Sequence, residues 1–361
     1  MKKQIGIAFI LIFIGLAGLI ACFIAKNSQD IGQNYYKEWN ISANQTKNLQ
    51  ISSEKDTDLR VKRTSDNKVS LRVEGKMAKA EVKDLKALTG TKNAFHLTLG
   101  TKHNWLEKWH RPHYGVQKVT LLIPESMSLG ELKADLNKAN VRLDKVQGKK
   151  LAITIYDGEV IGSHGRFDVT KIDTKKSLTD LSYWDGTISM FSEKGDQFLK
   201  DSSGNFTLQN QSGLSQVHRH GGTKGEILNF SGKVIATESH LDHLTINSTE
   251  GTEIVQGLRG DLLLSTKKGK SILRDNRGEQ LVSSENGDVI VSQTHLMKKM
   301  NVKSKKGLIK LTLNKSYQKQ PITINAPLGS VESDFHWQSK QKNARIVLTT
   351  TKGEIKVFQE E

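Results

Sequence analysis

One short phrase returns seven times toward the C-terminus of this chain: small or polar residues, a glycine, then a run rich in Val, Ile or Leu. It is centred on Gly232 (SGKVIA), Gly251 (STEGTEIV), Gly269 (STKKGKSIL), Gly287 (SSENGDVIV), Gly307 (SKKGLIKL), Gly329 (APLGSVES) and Gly353 (TTKGEIKV). Successive glycines are 19, 18, 18, 20, 22 and 24 residues apart. A unit of about twenty residues cannot bury an apolar face alone, so copies must stack, and the product expected is a solenoid. Glycine would turn each corner, and the aliphatic residues after it would point into the coil. The competing arrangement is an antiparallel sandwich of ordinary hairpins; the persistence of the spacing favours a right-handed parallel β-solenoid. Thirty glycines against four prolines agree with long runs of strand, because proline removes ladder donors.

The N-terminus constrains the chain next. Residues 5–25 (IGIAFILIFIGLAGLIACFIA) contain no charge, Asn, Gln or Pro. As a helix they would be ~30 Å long, enough to cross a bilayer core. Lys2 and Lys3 precede the segment, which puts a stub of residues 1–4 in the cytoplasm and the rest of the chain outside. Leu19-Ile20-Ala21-Cys22 also fits a lipobox, so lipidation at Cys22 is the alternative anchor, and a cleaved signal is a third reading. The expected location is the cell membrane, single-pass, with the C-terminal domain extracytoplasmic. Cys22 is the only cysteine, so no disulfide can staple the ectodomain.

Beyond the anchor, residues 26–46 lack periodicity and are expected to form a stalk. Residues 47–123 alternate in period two (LQIS, DLRVKR, KVSLRVEG, FHLTLG, VQKVTLLIP), and a small β-rich, sandwich-like cap is expected there. The solenoid is expected over 124–361, where short apolar pairs recur from Leu132 onward. The anchor, the strand-rich stretch, the phrase KVTLLIPESMSLGELKADLNKANVRLDKVQGKKLAITIYDGEV and the serial S-x-x-G-x-[IV]-x-[VL] units together resemble a bacterial family of membrane-anchored "putative adhesin" domains. That family is a domain of unknown function, found also in ectodomains of Lia-type envelope-stress operons. The likeness covers residues 47–361; it implies a β-solenoid ectodomain and brings no catalytic residues with it.

The residues themselves point away from catalysis. No phosphate-binding loop, GxSxG elbow, HExxH helix or CxxC pair occurs, and the expectation is a protein that is not an enzyme and needs no cofactor. His218 and His220 precede His240 and His243 by about one repeat, and with Asp242 they could meet around a metal. Solvent-facing histidines are the favoured reading, and no metal site is assigned. Trp105, Trp109 and Tyr114 lie in TKHNWLEKWHRPHYG, either as an exposed aromatic tip or as a packed plug.

Charge is the better guide. The formal net charge is +16, and residues 298–319 hold eight lysines and no acid. Lys267, Lys268 and Lys270 could align with Lys305 and Lys306 two rungs later, and Lys298, Lys299, Lys303 and Lys310 would extend the patch. Outside a cell such a ladder suits an anionic wall polymer or lipid headgroups, not intracellular nucleic acid. The function expected is adhesin-like or scaffolding, at the bacterial cell envelope. A second reading is an accessory or sensor ectodomain in an envelope-stress response; its four-residue cytoplasmic stub would require a membrane protein partner. A polysaccharide-active enzyme is the third, and it would need carboxylates clustered on one face.

Overall fold

The computed structural model describes residues 12–21, 32–100, 114–338 and 344–360. Its strands form one continuous hydrogen-bonded sheet wound into a coil. From β6 (Leu129–Asp144) through β7 (Gln147–Ser163), β8 (Arg166–Ser182), β9 (Asp185–Lys194), β10 (Gln197–Lys200), β11 (Phe206–His218), β12 (Gly221–Thr237), β13 (His240–Gln256), β14 (Arg259–Arg274) and β15 (Glu279–Gln293), every neighbour is paired in parallel. That removes the antiparallel sandwich: the glycine phrase marks rungs of a coil.

One rung shows how the sequence makes the turn. In β12, Ile227 and Asn229 face inward, the chain bends at Gly232, and Val234 and Ala236 face inward again. The bend recurs because the backbone leaves no room there for a side chain. A Cβ on Gly213, Gly232, Gly251, Gly269, Gly287 or Gly307 would lie 1.8–2.4 Å from the carbonyl oxygen of the glycine one rung below. Three residues before each of these glycines stands Ser, Thr or Asn, and toward the C-terminal end that side chain holds the corner: Gly287 N donates to Ser284 Oγ (2.9 Å), Gly307 N to Ser304 Oγ (2.9 Å) and, likewise, Gly353 N to Thr350 Oγ1 (2.9 Å). The S-x-x-G spacing is thus a hydrogen-bonded turn.

A second corner closes each rung with a residue of positive φ. Lys145, His164, Tyr183, Asp201, Arg219, Glu238, Gly257 and Asp275 form this column, with φ between 48° and 66°. Each donates its backbone N–H to the next rung, as Arg219 N does to Thr237 O (3.0 Å).

The ends depart from simple stacking. β2 (Leu49–Thr64) lies between β6 on one side and β4 (Phe95–Leu99) with β5 (Gln117–Pro124) on the other, all in parallel. The chain therefore passes over one rung between β5 and β6, and an earlier segment fills the place. The other end does the same. β16 (Lys299–Ser304) and β17 (Ile309–Leu313) pair with β21 (Ile346–Thr350) and β22 (Glu354–Gln359), which in turn carry β18 (Ile322–Asn325) and β19 (Ser330–Ser333). In space Gly353 sits on Gly307 and Gly329 sits on Gly353, reversing the order in the sequence. Pro321 and Pro327 flank β18, and Pro124 ends β5 beyond the last residue that pairs with β3. Each of these prolines stands at or beyond a strand end, so no ladder donor is lost from a strand interior.

Antiparallel strands and a helix close the N-terminal end. β3 (Val69–Met77) pairs with β5 and with β1 (Gln33–Ile41). α2 (Lys79–Ala87) buries Val82 and Leu85. Trp39 packs edge-on against Phe95 (6.0 Å) and donates to Leu88 O (3.3 Å). Two sequence readings change here. The supposed stalk holds β1, whose inward residues Tyr35, Trp39 and Ile41 share their face with Lys37, and that charge interrupts the apolar alternation. Much of 47–123 consists of rungs of the coil, not a separate sandwich. α1 covers residues 12–21, exposed throughout, and among the described residues no helix is long and apolar enough to cross a membrane. The rest of 5–25, Cys22 included, lies outside the described residues.

Candidate functional site

The lysines converge on the glycine corner. β14 and β15 pair with Lys268 opposite Asn286 and Lys270 opposite Asp288. Lys306 N donates to Glu285 O (3.1 Å) and Lys352 N to Lys305 O (3.0 Å), which continues the stack upward. One column thus reads Glu250, Lys268, Asn286, Lys306, Lys352, so its upper four rungs carry three lysines and a carboxylate stands below them. The column beside it reads Lys267, Glu285, Lys305, so the lysines do align two rungs apart, but an acid stands between them. The other candidates spread out. Lys298 is exposed before β16, Lys299 pairs with Glu279 (3.4 Å), Lys303 lies opposite Ser283, and Lys310 Nζ sits 5.6 Å from the Phe358 ring centre.

The positive-φ corner carries a second cationic feature that sequence reasoning missed. Arg259 and Arg277 pair directly on adjacent rungs. Like charges stacked this way repel, and neither has an ion-pair partner among the described residues. They line a cavity of about 540 Å³ with Arg219, Glu238, His240 and His295. Gly257 opens it, being the one member of its column without a side chain. Only the repeat spacing could have found this pair.

The histidines do not share a point. His220 is 1% exposed, donates from Nε2 to Gly204 O (2.8 Å) and packs edge-on to Phe206 (4.8 Å); burial pushes its pKa down. His218 contacts Thr237 Oγ1 (2.8 Å), His240 lies opposite Gly221, and His243 approaches Asp261 (3.8 Å). Among the described residues no group of three or more His, Cys, Asp or Glu is placed to hold a metal. Trp105 and Trp109 lie outside the described residues, while Tyr114 receives Lys55 Nζ 5.3 Å from its ring centre.

Two further concavities lie elsewhere. A cavity of about 810 Å³ follows the outer face of the arm before the glycine corner, lined by Asp135, Thr154, Tyr156, Asp173, Lys175 and Phe191. Another of about 630 Å³ lies farther along, at Gln209, Gln211, Asn229, Phe230, Asn247 and Lys267.

Compared with known proteins, residues 46–358 match the model of the family described as Toastrack DUF4097. No curated protein matches. Among solved structures, a "putative cell adhesion protein" from Clostridium sporogenes ATCC 15579 aligns over 91% of this chain and 100% of its own, at 8% identity and a TM-score of 0.18. That score carries no argument about fold or role.

Proposed function

The chain belongs to the Toastrack family, and from that premise we propose a non-catalytic β-solenoid with an adhesin-like or scaffolding role at the bacterial cell envelope, its coil right-handed. Its N-terminal segment holds it at the membrane, and the cationic corner contacts an anionic wall polymer or lipid headgroups. The observation that carries this reading is the run of Lys268, Lys306 and Lys352 in one column, with Glu250 at its lower end the one carboxylate beside it, so that positive charge extends along the solenoid axis above that point. A linear polyanion lying parallel to that axis would meet one charge after another. The unpaired Arg259 and Arg277 add to the same field. Such contacts select for charge more than for sequence or shape, and they weaken with salt.

The test is co-sedimentation of the purified full chain with isolated cell walls, before and after their anionic polymers are removed. Binding that disappears with the polymer supports the proposal, and binding that persists without it, or never occurs, rejects it. A protein partner in the membrane, as in a stress-response accessory, is then the remaining reading.

A further inference from the structure

The two cavities before the glycine corner are successive stretches of one trough. Thr154, Asp173, Phe191, Gln209, Leu228, Asn247 and Ser265 are paired each to the next, forming an unbroken column along its wall. Six rung steps of about 4.8 Å make this column roughly 29 Å long. The second stretch is unusual for a chain so rich in charge: of the residues lining it, Lys267 alone is charged, and amides dominate. Phe230 stands over it 66% exposed, a ring no core has claimed.

Beneath the wall, the inward-facing corner amides differ from one rung to the next. Asn210 satisfies its own corner, donating from Nδ2 to Gly195 O (2.9 Å) and accepting at Oδ1 from Ser212 N (3.1 Å). Asn229, at the equivalent place one rung on, is 3% exposed, and neither Oδ1 nor Nδ2 has a hydrogen-bond partner among the described residues. Asn229 faces inward with Ile227, so its amide lies beneath the trough and leaves ligand contact to the outward Leu228, Phe230 and Asn247.

We infer that this trough binds a linear neutral saccharide. Amides both donate and accept, which suits vicinal hydroxyls; an exposed aromatic face stacks on the apolar face of a pyranose. The near absence of charge in the second stretch suits an uncharged chain there, and one sugar unit is about as long as one rung step. Tyr156, 48% exposed in the first stretch, offers a second stacking ring. This inference is independent of the lysine column, which lies around the corner and takes anions.

The experiment titrates the full chain in detergent micelles with cellohexaose and with a β-1,4-linked N-acetylglucosamine hexamer, at low and high salt. The expected result is binding of at least one hexasaccharide that salt leaves unchanged, weakened about tenfold in Phe230→Ala and likewise in Asn247→Ala. Both side chains are exposed, so neither variant endangers the fold. Neutralising Lys268 and Lys306 should leave saccharide binding intact, which separates this result from polyanion capture. No binding of either hexasaccharide, binding that salt abolishes, or full affinity in either aromatic or amide variant would overturn the inference.

Discussion

The backbone carbonyl of Gly232 fills the place where a side chain on Gly251 would begin: a Cβ there would lie 1.8 Å from the oxygen. The glycine is held at φ +149°, so conformation and space exclude other residues together. Gly251→Ala should cost about 2–4 kcal/mol. Gly221, in the same coil, has nothing within 4 Å of its missing Cβ and no positive φ. Gly221→Ala should fall within about 1 kcal/mol of the native chain. Thermal melts of the two variants side by side check the difference; equal losses would mean that the stacked carbonyls do not set the requirement.

The corner hydroxyl is a separate device. Ser304 Oγ is buried and accepts from Gly307 N. Ser304→Ala leaves that N–H unpaired, at a cost of about 1–3 kcal/mol. Ser304→Thr should retain most of the stability, because Thr350 makes the same bond one rung away. Faster hydrogen exchange at the Gly307 amide in the alanine variant, restored in the threonine variant, is the expected readout.

Glu253 makes stability depend on pH in an uncommon direction. It is 0% exposed, one oxygen accepts from Ser271 Oγ (2.9 Å), and burial pushes its pKa up. A raised folded pKa means that the native state holds the proton more tightly than the unfolded chain. Its stabilising contribution is therefore complete below the ordinary glutamate value of about 4.3 and is lost as pH rises through the folded pKa. Glu253→Gln should be more stable than the native chain at neutral pH, and the gain should vanish in acid. Denaturant melts across pH test this, and a gain independent of pH would count against it.

The inserted C-terminal rung links two segments distant in sequence. β18 pairs with β21 and the short β20 (Trp337–Gln338), and β19 pairs with β22. Removing residues 344–361 should therefore release 322–338 as well, although those residues remain in the chain. Loss of amide protection at Ile324 in the truncated protein is the expected sign; retained protection would mean that the outer rung docks without its neighbour.

How much of this was legible follows from what each feature asks of its residues. The corner at Gly232, Gly251 and Gly269 excludes every side chain, so it leaves the same letter in each repeat. The positive-φ column tolerates Lys145, Tyr183, Asp201 and Arg219 alike, because a hydrogen bond from the backbone holds it; no letter marks it. The exchange of Gly329 and Gly353 was invisible for another reason. Parallel rungs with aliphatic interiors are interchangeable partners, and nothing in APLGSVES or TTKGEIKV encodes which stands outermost. Among candidate site residues, the alignment of Lys267 with Lys305 was readable from spacing, whereas the intervening Glu285 and the unpaired Asn229 emerge only once register and burial are fixed.

The most direct measurement is the salt dependence of binding between the full chain and a purified poly(glycerol phosphate), for the native protein and for Lys268→Gln, Lys306→Gln and Lys352→Gln. If the lysine column carries the contact, affinity falls linearly with salt on logarithmic axes, and each substitution flattens the slope by about one. Slopes unchanged by all three substitutions would contradict the account.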